Sequence, residues 1–418
     1  MVGTVVVVTL VVAVAPLVVA ALRRVVRVPL VAVEILLGLA VGPNGLNWVT
    51  DRSLLDLFSG FGLAMLFFMA GSEIEFREVR GRPLRRSALG WLVSLAAGLA
   101  IGIAVAPSAT VGVYIGVALT STALGTLLPI LIDSGDLGSP FGTAVVAVGA
   151  IGEFGPLVAI SVFLSSRTAG ASATVLVAFV VLSAGAIVLA ARGRHRGLHR
   201  LSAATLHTSG QFGVRLVMLV VTAMVALSLE FGLDMLLGAF TAGVLTQYFL
   251  ASAPAADSRE IRSKLAAVAF GFLVPIFFVE TGAHFDLPAL LHDRRALVLL
   301  PAFLVLFLLV RGLPGLLSAP AGASRADRGA LVLMSGTALP IIVAVTAIGV
   351  DRGELPESLA GALVGAGLLS VLVFPVLALL VRGRPAPLGT GSMVGDVTGP
   401  PAVAAGDGVV RDAVPEEA

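Results

Sequence analysis

The sequence predicts an all-α polytopic membrane protein of about 13 transmembrane helices, built as an inverted repeat with two interrupted helices, N-terminus outside and C-terminus inside. Composition, charge placement and an internal echo lead to this fold class. Of 418 residues, 58% are hydrophobic and 12% charged, and the mean hydropathy is +1.05, values that a soluble domain of this size does not show. Aromatic residues make up 6% while glycine occurs 48 times, and small residues let membrane helices approach closely. The chain has no cysteine. That excludes disulfides, thiolate metal sites, iron–sulfur clusters and cysteine nucleophiles.

Crossing a hydrocarbon core takes about 20 apolar residues, sometimes fewer. Such stretches fall at 3–22, 28–42, 54–72, 87–106, 110–132, 142–164, 172–191, 211–229, 233–250, 265–281, 295–317, 328–350 and 357–381, numbered here as spans one to thirteen. Span two is the shortest. In span one the arginines follow the apolar run instead of preceding it, which reads as a first membrane helix and not a secretory signal.

Charge placement tests this division, because Lys and Arg concentrate in cytoplasmic loops. With the N-terminus outside, the inner loops and tail hold Arg23, Arg24 and Arg27, the cluster Arg77 to Arg86, the cluster Arg192 to Arg200, Arg259, Arg262 and Lys264, then Arg325, Arg328, Arg382, Arg384 and Arg411. The outer loops hold Arg52, Arg167, Arg294, Arg295 and Arg352. A missed or invented span would scramble that asymmetry. From 383 to 418 the sequence is rich in Gly, Pro and Asp without periodicity, the signature of a disordered cytoplasmic tail. It is too short for a nucleotide-binding domain. No Walker motif occurs, which points away from ATP as energy source, and no catalytic motif points to an enzyme. No cofactor and no nucleic-acid partner are expected.

The echo pairs Ser121-Thr-Ala-Leu124 of span five with Gly336-Thr-Ala-Leu339 of span twelve, about half the chain apart. Three letters match readily in an Ala/Leu-rich chain, so position carries the weight. Five is the second-last span of one to six, and twelve the second-last of eight to thirteen. Span seven is then a linker, and this odd helix turns the second half over, the plan of inverted-repeat secondary transporters. Both spans place helix-weakening residues near mid-membrane: Thr120, Ser121, Thr122, Gly125 and Pro129 in one, Ser335, Gly336, Thr337 and Pro340 in the other. Either set also suits ordinary helix packing. Read as two breaks, they bring half-helix carbonyl ends, which favour cations, and amide ends, which favour anions, to the midplane.

Glu153 lies about eleven residues into span six, ~16 Å deep at 1.5 Å per residue. An acid there costs ~2.5–3.5 kcal/mol on insertion scales, and it faces a cavity or pairs with a base. Desolvation favours its proton and a cation displaces it, so one carboxylate serves both. The competing structural reading is a permanent pair with an arginine. Arg311 of span eleven is the available base, or it snorkels to the interface; Arg215, nearer a helix end, suits snorkelling better. Glu280 in span ten, one turn before His284, offers a secondary ion or proton site or else an interfacial pair, and Glu34 a helix-packing or dimer-side acid. The five histidines show no metal-ligand spacing, and no tightly bound metal is expected.

The blocks VPLVAVEILLGLAVGPNGL, GLAMLFFMAGSEIEF, TSTALGTLLPIL through DSGDLGSPFGTAVVAVGAIGEFGPLVAI, LLGAFTAGVL and FLVPIFFVETGAHFDL resemble, in order and spacing, those of bacterial monovalent cation:proton antiporters of family 2. These are sodium/proton exchanger types, here a Kef-like membrane domain without the regulatory nucleotide-binding domain. The resemblance covers about residues 20 to 381. It implies a core of spans four to six and eleven to thirteen (87–164 and 295–381), a panel or dimer domain of one to three and eight to ten (1–72 and 211–281), and crossing breaks in five and twelve. It also implies a homodimer in the cell membrane with elevator-type motion of core against panel. Span six carries Asp-Asp, Asn-Asp or Gln-Asp in such proteins; here the pair is Gly152-Glu153, its first member without a side chain. A basic residue in span eleven matches Arg311. The resemblance thus implies exchange of Na+ or K+ for H+ at Glu153, with Thr120, Ser121, Thr122, Gly336 and Thr337 completing coordination and Arg311 compensating charge. The alternatives are a non-transporting membrane sensor or assembly protein with Glu153 locked to Arg311, and an organic-solute transporter on an inverted-repeat fold.

Overall fold

The computed structural model describes residues 2–22, 30–49, 53–73, 82–163, 211–250, 254–285 and 287–383, with scattered positions between 174 and 185. Most of the expected linker span 172–191 and the tail beyond Gly383 lie outside the described residues. Residues Met1–Pro387 form one compact unit. Among the described residues nine helices are long and apolar enough to cross a membrane, and three shorter apolar helices, Leu30–Val41, Ala109–Ala118 and Met235–Leu250, accompany them. Every expected span that falls on described residues has its helix, as it must where no water is present to hydrogen-bond an open backbone.

Span ten departs from its expected bounds. Its helix runs over Ala256–His284, beginning before the apolar stretch at 265. The added turns are polar and carry an i,i+4 pair, Lys264 Nζ to Glu260 Oε1 at 3.2 Å. Arg262 Nη1 donates to Ser72 O at 3.0 Å and ties this extension to the end of span three. A five-residue π turn at Ala269–Leu273 lies within the helix. Span eleven, Arg294–Ser318, contains a second π turn, Phe307–Gly312.

Spans five and twelve are the two that break. Span five is a half-helix Ala109–Ala118, a non-helical stretch through Ala123, and a second half-helix Leu124–Asp133. Span twelve is Arg325–Ser335, a break, then Pro340–Asp351. Proline opens that last half-helix at a position where its missing N–H is no loss. Ser324 caps the first half of span twelve through a capping box with Asp327, satisfying amides that a helix start leaves open.

Contacts at the two ends set the relative direction of these spans. Tyr114, near the start of span five, donates to Glu354 Oε2 at 2.6 Å, just past the end of span twelve. At the other end Asp136, after span five, and Asp327, at the start of span twelve, share Arg382: Nε reaches Asp327 Oδ1 at 2.9 Å while Nη1 bonds Asp136. The guanidinium also lies over the Phe141 ring, 3.8 Å from its centroid. Spans five and twelve are therefore antiparallel, as an inverted repeat requires. Close helix approach follows the glycines: a Cβ on Gly102 would sit 2.2 Å from Gly112 O, so spans four and five meet backbone to backbone.

Candidate ion and proton site

The two breaks meet, and their open backbone groups find partners in each other and in spans six and thirteen. Ala123 N–H donates to Thr337 O at 2.8 Å, and Thr122 N–H to Gly152 O of span six at 3.1 Å. On the other break Ala338 N–H donates to Ser370 Oγ of span thirteen at 3.0 Å. Ser370, fully buried, is a site residue that the sequence reading missed; only its serine in an apolar helix could have marked it. These bonds answer the accounting that an interrupted helix raises inside a membrane.

Glu153 sits mid-helix in Pro140–Phe163 and is 6% exposed. Its Oε1 accepts from Gly125 N–H at 3.2 Å. Gly125 lies in the first turn of half-helix Leu124–Asp133, so the carboxylate occupies the amide end of a broken helix, where the macrodipole favours negative charge. Thr120, Ser121, Thr122 and Thr337 are all buried around the breaks, and Gly336 caps Arg325–Ser335. The Thr120, Ser121 and Thr337 hydroxyls donate to Val117 O, Ala118 O and Leu333 O at 2.7, 2.8 and 3.1 Å. Their protons are spent within their own half-helices, which leaves oxygen lone pairs for a cation.

Arg311 does not snorkel. It is 0% exposed and stands in the π turn of span eleven, an irregularity common at functional sites. Its Nε donates to Thr122 Oγ1 at 2.8 Å and its Nη2 to Val148 O at 2.6 Å. The Thr122 hydroxyl in turn donates to Ser335 O at 2.7 Å. Ser335 ends a half-helix, so Arg311 is linked through Thr122 to a helix carbonyl terminus, the end that favours positive charge. Gly152 explains itself in the same place: a Cβ there would lie 2.5 Å from Thr122 Cβ, 2.6 Å from Thr122 Oγ1 and 2.7 Å from Arg311 Nη2.

Glu280 takes other partners. Its carboxylate contacts the His284 imidazole and accepts from Ser59 Oγ at 3.1 Å. With Asp56 of span three, one ligand atom from each of Asp56, Glu280 and His284 falls within 4.8 Å of the others. Spacing along the sequence could not show this grouping, because Asp56 comes from a distant helix. Arg215 is exposed, as snorkelling requires, and Glu34 is buried in span two.

Two interrupted helices crossing beside a buried acid define the class of helical membrane proteins built as inverted repeats. Within that class the chain belongs to the sodium/hydrogen exchanger family, whose transmembrane model matches residues 8–379, and is a multi-pass membrane protein. It is 26% identical over 372 residues to the putative Na+/H+ antiporter YjbQ of Bacillus subtilis strain 168, covering 84% of this chain and 58% of that protein. It is 22% identical to the Na+/H+-K+ antiporter GerN of Bacillus cereus, covering 83% and 88%. To the glutathione-regulated potassium-efflux protein KefC of Klebsiella pneumoniae strain 342 it is 29% identical, covering 82% and 55%. The chain thus spans little more than half the length of the first and last of these relatives. The solved sodium proton antiporter MjNhaP1 of Methanocaldococcus jannaschii shares the fold, with a TM-score of 0.64 at 17% identity over 91% of this chain and 98% of that one.

Proposed function

We propose that the protein is a secondary antiporter that exchanges a monovalent cation, Na+ or K+, for H+ across the cell membrane through Glu153. The observation that carries this reading is the placement of the Glu153 carboxylate, buried mid-helix, at the amide end of a broken helix. There a single carboxylate is neutralised either by a proton or by a cation. Oxygens of Thr120, Ser121, Gly336 and Thr337 complete the cation shell, since hard alkali cations take oxygen ligands, while the Thr122 hydroxyl is engaged by Arg311 and Ser335 O. Arg311 supplies compensating charge from outside that shell. Two names among the relatives support the substrate class: Na+/H+ antiporters, one of which also handles K+. With one carboxylate at the site, one-for-one electroneutral exchange is the simplest stoichiometry.

In the reading that goes with this, spans four to six and eleven to thirteen move as a core against the panel of spans one to three and eight to ten, in a homodimer, N-terminus outside and C-terminus inside. A sensor with Glu153 locked to Arg311 is disfavoured, because the guanidinium hydrogen-bonds Thr122 and Val148 O. Everted vesicles test the proposal. Adding Na+ or K+ to respiring vesicles should release the proton gradient with the native chain and leave it intact with Glu153→Gln; full exchange in that variant would sink the reading.

A further inference from the structure

A buried arginine and a buried acid near one pair of helix breaks attract each other strongly in a medium of low dielectric. A permanent pair would close the carboxylate to exchange, because a cation would have to displace a bound guanidinium. The described buried charges are Glu34, Asp136, Glu153 and Arg311. Glu34 belongs to span two, and Asp136 is engaged by Arg382 at the far end of span five. Glu153 and Arg311 are thus the described buried charges that lie at the breaks, and the hydrogen bonds of Arg311 go elsewhere, to Thr122 and Val148 O.

The restraint is built from three positions. Nε of Arg311 is tied to Thr122 Oγ1, which is itself anchored on Ser335 O. Nη2 is tied to Val148 O. Gly152 stands one turn after Val148 on the same face of span six, and its missing side chain leaves the notch that the guanidinium and the threonine fill. Nη1 is buried and has no hydrogen-bond partner, a donor with unspent capacity.

Building on the antiporter reading, we propose that Thr122 and Gly152 are positioning residues that hold Arg311 against the carbonyl end of half-helix Arg325–Ser335 and so keep it from capturing Glu153. Thr122 then acts through Arg311 and not as a cation ligand in its own right. Loosening the anchor frees a competitor for the carboxylate. Cation affinity falls, and protons compete only at lower pH, since a neighbouring guanidinium favours the ionised acid.

The test uses the full chain in proteoliposomes, reading half-saturating Na+ and K+ and the pH profile of exchange. Thr122→Val should weaken apparent cation affinity about tenfold, the scale of one hydrogen bond to a charged group, and move the pH profile to lower pH by about one unit. Thr122→Ser, which keeps the hydroxyl, should behave as the native chain. In an Arg311→Gln background Thr122→Val should change affinity by less than about twofold, the non-additivity expected of residues acting in one chain of contacts. An equal loss in both backgrounds would overturn the inference and make Thr122 a direct ligand. Should Arg311→Gln fail to fold, the pH profile decides: an acid shift in Thr122→Val that Thr122→Ser reverses supports the inference, and weaker affinity with an unmoved profile overturns it. A native chain with no cation-dependent proton movement would sink the antiporter reading and this inference together, an outcome distinct from the others.

Discussion

At position 152 the absence of a side chain is what admits an arginine into the crossing of the two breaks. Beside Glu153, the sequence marks glycine only as a missing partner. Its reason becomes visible once Thr122, Arg311 and Val148, drawn from three spans, are brought to one place. Gly152→Ala should therefore destabilise the protein by roughly 1–3 kcal/mol, the range for overpacking a filled interior, read as a lower thermal midpoint in detergent. An unchanged midpoint would mean that the threonine and arginine yield freely. Glu153 itself was readable from sequence, because charge deep in an apolar span is costly wherever it lies. The direction in which Arg311 turns was not, since snorkelling and burial leave the same letters in the chain.

The half-helices are the elements that give the site its polarity. The carboxylate of Glu153 meets an amide end, and the guanidinium of Arg311 is linked through the Thr122 hydroxyl to a carbonyl end, so each charge is associated with a dipole of opposite sign. The far ends of the same half-helices are pinned by Arg382, which joins Asp136, Asp327 and the Phe141 ring. Arg382→Ala should cost on the order of 3 kcal/mol, because removing one member of a buried charged group strands the rest. Denaturation in mild detergent measures this, and a loss below about 0.5 kcal/mol would show that Asp136 is well served by its other contacts. Hydropathy and the Gly, Ser, Thr and Pro letters of spans five and twelve were enough to expect both breaks. The π turn that aims Arg311 and the polar extension of span ten left no such trace, since both depend on what packs against them.

Across the whole molecule the antiparallel relation of spans five and twelve follows from contacts, and the face that meets the cytoplasm is read from arginine placement. A chain without cysteine lends itself to the check. Cysteines introduced singly at Leu137 and Ala321 should react with an impermeant maleimide from the cytoplasmic side, and one at Asp351 only from outside. Labelling of Leu137→Cys and Asp351→Cys from the same side would overturn the topology. The spans that fall on described residues and the paired breaks were within reach of the sequence because each is local or periodic. The meeting of Asp56 with Glu280 and His284 was not, because it depends on which helices become neighbours. The bond from Ala123 to Thr337 bears on how such a chain is made. Span five enters the bilayer with an opened backbone whose partner lies in span twelve, not yet synthesised at that moment. Until it arrives, the first break must borrow water or close into a provisional helix. The candidate site can form only after nearly the whole transmembrane sequence has left the ribosome, so a truncation before residue 337 would leave an inserted bundle without a finished site.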